Sequence, residues 1–187
     1  MTRIIGGHVG GRRIRTPPGD RTRPTSDRVR EALFSAVESW CGSLEGLRVL
    51  DLYAGSGALG LEAWSRGAVA VRLVESDRRT ASLISANARD LGCSVAEVVS
   101  LSVHTALGRP PRADEPLFDV VVSDPPYPLT EADLATDLEL LRPWLAPDAL
   151  VIVERARRSP EPTWPEGVVG ERSKRYGETT LWYGHAS

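Results

Sequence analysis

Ser123-Asp124-Pro125-Pro126-Tyr127 is the stretch of this sequence whose residue types and spacing come nearest to chemistry. Two consecutive prolines fit neither a helix nor a central strand, so they lock a rigid loop. In such a loop the Asp124 carboxylate and the Pro125 carbonyl stand as two fixed acceptors. An exocyclic amine has two hydrogens to give, and its lone pair is drawn into the ring that carries it. Accepting both hydrogens favours a more pyramidal nitrogen, with the lone pair turned toward an electrophile; this is orientation plus preorganised electrostatics. Tyr127 can stack on the planar base. Taken alone, the same residues could be a Pro-rich turn that closes a strand.

A second motif lies 73 residues upstream, in Asp51-Leu52-Tyr53-Ala54-Gly55-Ser56-Gly57-Ala58-Leu59-Gly60. Gly55, Gly57 and Gly60 fit the G-x-G-x-x-G pattern of a nucleotide-binding turn, a weak signal by itself. Such a turn opens onto a helix N-terminus whose unpaired N–H groups can take a pyrophosphate or the carboxylate of an amino-acid-like cofactor. Asp51 separates the two. A carboxylate would repel a pyrophosphate but welcomes an ammonium group, so the pattern favours S-adenosylmethionine over a dinucleotide. The competing reading of Asp51 is a helix-capping carboxylate. Glu75, at the end of the next apolar run, suits the ribose hydroxyls of either cofactor. Asp77 reads as a helix N-cap.

The elements that must position these motifs alternate regularly. Asp27 to Trp40 has apolar residues at helical spacing after the cap candidates Thr25, Ser26 and Asp27. Strands are expected at Arg48–Tyr53, Val69–Val74, Val95–Leu101, Phe118–Ser123 and Leu150–Val153, with a final pair around Gly177. Helices are expected from the glycine turn to Arg66, from Ala81 to Leu91, and along the stripe Leu134, Leu138, Leu141 and Leu145. A Pro- and charge-rich loop covers Gly108–Pro116. Strand–helix alternation predicts an α/β fold, a mostly parallel seven-stranded sheet with helices on both faces. Asp51 and Asp124 would then meet at one sheet edge, where open α/β sheets place their chemistry.

Composition bounds the reading. The chain has 187 residues, 41% hydrophobic and 26% charged, which suits one globular domain. No apolar run reaches the ~20 residues of a membrane helix, and the Arg-rich start does not resemble a signal peptide. Cys41 and Cys93 fit no metal or redox spacing, and His8, His104 and His185 are scattered. The expectation is a monomeric cytoplasmic protein without metal. The net charge of -2 hides an asymmetry. Residues 1–30 hold eight arginines against Asp20 and Asp27, a net of +6, whereas the other 157 residues hold 15 basic and 23 acidic side chains, a net of -8. A basic arm on an acidic body suits a phosphate backbone. Residues 1–24 therefore read as an RNA-binding extension, a hairpin-like arm contacting RNA through Arg3, Arg12, Arg13, Arg15 and Arg23, with Arg28 just beyond. Residues 25–187 read as the domain that carries the chemistry.

The motifs Asp51–Gly57 and Asp124–Tyr127 resemble the class I, Rossmann-like amino-methyltransferases. Arg3-Ile4-Ile5-Gly6-Gly7, Gly11-Arg12, Arg23 to Phe34 and Arg175 to Leu181 resemble the RsmD-type 16S ribosomal RNA guanine-N2 methyltransferases, over nearly the whole chain. The resemblance implies an antiparallel last strand and methyl transfer to N2 of one guanine of small-subunit ribosomal RNA, in an assembled or assembling subunit. It places Asp51, Tyr53, Gly55, Ser56, Gly57 and Glu75 on S-adenosyl-L-methionine, and Asp124, Pro125, Pro126 and Tyr127 on the target amine. The chain departs from the family at the third strand end. An acidic residue there often holds the adenine amino group; this chain has Leu101-Ser102-Val103, leaving Ser102 as the acceptor. Three alternatives remain open from the residues alone. They are an amino-methyltransferase acting on DNA adenine or a protein glutamine, a nicotinamide oxidoreductase, and a non-catalytic RNA-binding assembly factor.

Overall fold

The computed structural model describes residues 1–19 and 26–187. Arg23, with Pro24 and Thr25 of the family-like segment, lies outside the described residues. The chain opens with two short antiparallel strands, β1 (Thr2–Arg3) and β2 (Arg13–Ile14). Helix α1 (Asp27–Cys41) follows, capped by the Ser26 hydroxyl, which accepts from the Val29 N–H. The body then runs β3 (Arg48–Leu52), α2 (Ala58–Ser65), β4 (Ala70–Val74), α3 (Arg78–Leu91), β5 (Ala96–Val99), α4 (Val103–Gly108), β6 (Phe118–Ser123) and α5 (Glu131–Leu141). A 3-10 turn (Arg142–Trp144) leads into β7 (Leu145–Ala156), β8 (Val168–Tyr176) and β9 (Thr179–Ala186). As expected, Asp77 caps α3, its carboxylate accepting from the Thr80 N–H. Among the described residues no helix is long and apolar enough to cross a membrane.

The main sheet has seven strands in the order β5-β4-β3-β6-β7-β9-β8. β3, β4, β5, β6 and β7 are parallel, and β9 runs antiparallel between β7 and β8. The sequence of β6, FDVVVS, is buried along nearly its whole length, because helices cover both faces of the sheet. One apolar cluster joins α1, α2 and α3 to one face and takes in Ile4 and Ile14 of the N-terminal hairpin. The other joins α4 and α5 to the opposite face. The chain leaves β3 toward β4 on one side and later returns to β6 on the other. The crevice between the ends of β3 and β6 is therefore the topological switch point.

Three elements differ from the sequence expectation. Leu145 begins β7 instead of extending the Leu134–Leu141 stripe, because the helix ends at Leu141 and Arg142-Pro143-Trp144 tightens into a 3-10 turn. β7 consequently starts five residues before the expected Leu150. Helix α4 stands where only a strand end and a loop were expected. It is a short helix of six residues, capped by Ser102.

Candidate functional site

The two motifs converge by strand register. Asp51 on β3 lies opposite Val122 on β6, and Leu52 opposite Ser123. Asp124, the residue that follows β6, donates its N–H to the Leu52 carbonyl at 3.4 Å. Pro125 is buried, whereas Pro126 and Tyr127 are exposed. A turn closed by the Leu129 N–H on the Pro126 carbonyl, at 3.0 Å, holds Tyr127 at the surface with 60% of its area exposed.

The glycine turn is tied from both sides. Gly55 donates its N–H to Glu75 Oε2 at 2.9 Å, and Glu75 Oε1 accepts from the Asp77 N–H at 3.1 Å. The ribose acceptor expected at Glu75 thus also closes the turn. Gly57 caps α2 at φ 83, where a Cβ would come within 2.9 Å of Ile84 Cγ2, so the turn packs against α3 only without a side chain there. The Ser56 carbonyl accepts from Asn87 Nδ2 at 3.0 Å.

Asp51 is 1% exposed. Its Oδ2 accepts from the Gly60 N–H at 2.9 Å, so one oxygen does cap α2, the competing role weighed from sequence. Oδ1 is buried with no hydrogen-bond partner among the described residues. Burial pushes the carboxyl up to about 7. The Gly60 hydrogen bond opposes that rise, and the nearby Glu75 charge adds to it. An unmatched buried acceptor beside a nucleotide-type turn fits a cofactor that brings a cation.

A cleft of about 340 Å³ opens at the strand ends, lined by Tyr53, Glu75, Ser102, His104, Asp133 and Asp137 among others. Tyr53 has left-handed backbone, φ 60, and its hydroxyl donates to Asp137 Oδ2. Burial raises the Asp137 carboxyl, against the opposing effects of the Tyr53 hydrogen bond and of His104, whose Nδ1 lies 3.9 Å from Oδ1. Ser102 lines the cleft, but its hydroxyl already caps α4, accepting from the Thr105 N–H at 3.1 Å and donating to Thr105 Oγ1 at 2.8 Å. Val74, Val103 and Leu129 line the cleft together with these carboxylates, a mixture that suits an adenosyl group joined to a positively charged centre. Among the described residues no group of three or more His, Cys, Asp or Glu could hold a metal ion.

Two contributors were missed from sequence. Asp137 sits on the same α5 turns as the leucine stripe, and its spacing from Asp133, one helical turn, was the signal for a carboxylate pair facing the cleft. Arg155, 8% exposed on β7, donates to the Leu129 carbonyl at 3.1 Å and to Glu131, and so braces the loop that follows Tyr127. No sequence signal marks it.

The basic arm is a hairpin docked on the body. Ile4 and Ile14 are buried in the main core. The N–H groups of Ile5 and Gly6 donate to the two oxygens of Glu62 at 2.7 and 2.8 Å. Glu62 is fully buried and also pairs with Arg30 and Arg66, so Arg30, counted from sequence with the basic arm, is a buried structural cation. Arg3, Arg12, Arg13, Arg15 and Arg28 are exposed. Arg3 pairs with Asp27 at 3.1 Å, Arg15 pairs with Asp90 at 3.1 Å, and Arg12 reaches the Asp90 carbonyl at 2.9 Å.

Known proteins share this arrangement over most of the chain. The family described as Conserved hypothetical protein 95 matches residues 2–185. The ribosomal RNA small subunit methyltransferase D of Haemophilus influenzae is 39% identical over 160 residues, 84% of this chain and 80% of that protein. The protein of the same name from Escherichia coli (strain K12) is 35% identical over 177 residues, 94% of this chain and 85% of that protein. The solved structure of Escherichia coli yhhF superimposes with a TM-score of 0.86 at 34% identity, covering 100% of this chain and 98% of that one. With a seven-stranded α/β sheet, both motifs at its switch point and these relatives along its length, the chain belongs to the family described as Conserved hypothetical protein 95, that of the ribosomal RNA small subunit methyltransferases D.

Proposed function

We propose that the protein transfers a methyl group from S-adenosyl-L-methionine to the exocyclic N2 amine of a guanine in small-subunit ribosomal RNA. It acts as a monomer in the cytoplasm, on an assembled or assembling subunit. The observation that carries this reading is the meeting of Asp124 with the Asp51–Gly57 turn across the β3–β6 register. When bound, the cofactor supplies an electrophilic methyl on a positively charged sulfur. Asp51 and Glu75 hold its polar groups, with Tyr53, Gly55, Ser56 and Gly57 forming the turn around them and Ser102 at the rim. Asp124 and the Pro125 carbonyl accept the two amine hydrogens, which fixes the nitrogen and turns its lone pair toward the methyl. Pro126 keeps the loop rigid. Tyr127 stacks on a guanine that has left its own stack, since the amine is out of reach in a helix. Arg3, Arg12, Arg13, Arg15, Arg23 and Arg28 hold phosphates, and residues 1–24 act as the RNA-binding extension of the 25–187 domain.

The reading is tested by tritium transfer from labelled S-adenosylmethionine to small subunits that lack the modification, followed by mapping of the labelled base. Label on guanine N2 is the expected outcome. Label on a ribosomal-protein glutamine, or on DNA adenine when DNA is offered in parallel, with none on ribosomal RNA, would assign the same amine chemistry to another substrate.

A further inference from the structure

The acidic body has one conspicuous basic edge that the N-terminal arginines do not include. β7 ends in Arg155 and Ala156, followed by Arg157 and Arg158, and β8 carries Arg172, Lys174 and Arg175. Arg157, Arg158, Arg172, Lys174 and Arg175 are all exposed. Three acidic side chains lie beside them: Glu178, Glu154 on β7, and Glu171 on β8, which lies 2.7 Å from His185 Nδ1.

Strand register places these cations beside the chemistry. Ser123 on β6 pairs with Val153 on β7, so Glu154 is level with Asp124. Glu154 pairs with Leu181 on β9, and Leu181 pairs with Lys174 on β8. Lys174 is therefore level with Asp124, three strand spacings or about 14 Å across the sheet. Arg175, paired with Thr180, lies one residue further toward the same edge. The Arg157 N–H donates to the Glu178 carbonyl at 2.8 Å, which holds the Arg157-Arg158 segment against the β8–β9 turn. Two cations lie near aromatic rings, Arg172 at 5.0 Å from the Tyr183 centroid and Lys174 at 5.6 Å from that of Tyr176. Such stacking limits side-chain freedom and lowers the entropy lost when a cation meets a phosphate.

The N-terminal hairpin lies on the other side of Asp124. It reaches Asn87 and Asp90 of α3, which packs along β5. From this placement we infer that the outer end of the β7–β8–β9 ribbon is a second RNA-phosphate surface. It grips the strand on the side of the target base opposite the hairpin, so that the base is presented to Asp124 from a backbone held at both flanks. The inference rests on the ribosomal RNA reading above. A nucleic-acid backbone is favoured over an acidic protein because four of the five exposed cations are arginine, whose planar fork suits phosphate oxygens.

Lys174 is the only lysine in the chain, so one side chain reports on this surface. The full-length protein is acylated with an amine-specific reagent, alone, with S-adenosylmethionine, with unmodified 16S ribosomal RNA and with unmodified small subunits. Modification of Lys174 is read by mass spectrometry. Protection by the RNA and by the subunits, and none by the cofactor alone, is expected. In parallel, the salt dependence of RNA binding is compared for wild type, for Arg172→Ala/Lys174→Ala/Arg175→Ala and for Arg172→Lys/Arg175→Lys. The alanine protein should lose about two units of log–log slope, at 0.7 or more per phosphate contact, whereas the lysine protein keeps the wild-type slope. Both should bind S-adenosylmethionine as wild type does, which serves as the folding control. An unchanged slope in the alanine protein would overturn the proposal even if wild type methylates ribosomal RNA. Protection by subunits but not by naked RNA would reassign the surface to a ribosomal protein and overturn it equally. Wild type that transfers no methyl to ribosomal RNA would overturn the function reading itself, and this inference with it.

Discussion

Asp124 stands at the end of a buried strand, next to a buried proline and above a turn whose Gly55 amide is tied to Glu75. A carboxylate so placed does not reorganise when the amine arrives, and that is the condition under which a hydrogen-bond acceptor lowers a barrier. Asp124→Ala should cut methyl transfer by about 10²–10³ with the cofactor still bound, and Asp124→Asn should cost less, since its amide oxygen still accepts. Tyr127→Phe should be mild, while Tyr127→Ala should lose about 1–3 kcal/mol of base stacking. Single-turnover rates on ribosomal substrate order the four variants, and full activity of Asp124→Ala would sink the mechanism. Asp51 gives a prediction about protons. The unfolded carboxyl titrates near 4, whereas burial lifts the folded one to about 7. The folded chain therefore keeps a proton that the unfolded chain has lost, and stability from this group falls as pH rises from about 4 to about 7. A cation delivered beside Oδ1 favours the ionised form, so S-adenosylmethionine binding near pH 6.5 should release up to one proton. Calorimetry in buffers of different ionisation enthalpy measures that release. Asp51→Asn should abolish it, and a binding heat independent of buffer in wild type would contradict the assignment.

Among the elements, the hairpin departs most from what its composition suggested. Its charge pattern reads as an RNA-binding, hairpin-like arm, and beyond that role β1 and β2 bring Ile4 and Ile14 into the core and close over Glu62. The residue that permits this docking is Gly7. At φ 80 its missing Cβ would fall 2.0 Å from the Ser65 carbonyl oxygen, a clash with α2 backbone that no rotamer relieves. Gly7→Ala should undock the hairpin and leave Glu62 without its two amide donors, a loss of several kcal/mol because unmatched buried polar groups are expensive. Thermal denaturation measures it, and a melting temperature unchanged from wild type would show that the hairpin adds nothing to the fold. The strands, the three longer helices of the first half and both motifs were legible in the sequence, because each depends on local periodicity or on residues with special backbone. The buried Arg30–Glu62–Arg66 cluster, the Tyr53–Asp137 contact and the Arg155 brace were not. Each joins a charged side chain to a polar group from a distant segment, and a charged residue in a sequence looks the same whether it meets water or a partner. Helix α4 escaped because six residues are too few to establish a helical period.

At the scale of the molecule, the asymmetry hidden by a net of -2 resolves into an acidic cleft with arginine-bearing segments on either side. Carboxylates gather where a cationic cofactor is expected, and arginines gather where phosphates would pass. One link joins the flank to the cleft. Asn87 spends its side-chain amide on two backbone carbonyls, that of Arg15 in the hairpin at 2.9 Å and that of Ser56 in the glycine turn at 3.0 Å, while its oxygen takes the Arg15 N–H at 2.9 Å. Hairpin and turn are thus fastened to a single carboxamide, and whatever steadies one steadies the other. Thermodynamic reciprocity then fixes a relation between the two ligands. RNA should tighten the cofactor by the same factor by which the cofactor tightens RNA. In Asn87→Ala both factors should shrink toward one together, as measured by cofactor titrations with and without RNA and by the converse RNA titrations. Joint binding that is independent in wild type would mean the carboxamide is mere scaffolding. A molecule wired in this way favours the ternary complex over either half-loaded state, so few copies would be left holding RNA without a methyl donor.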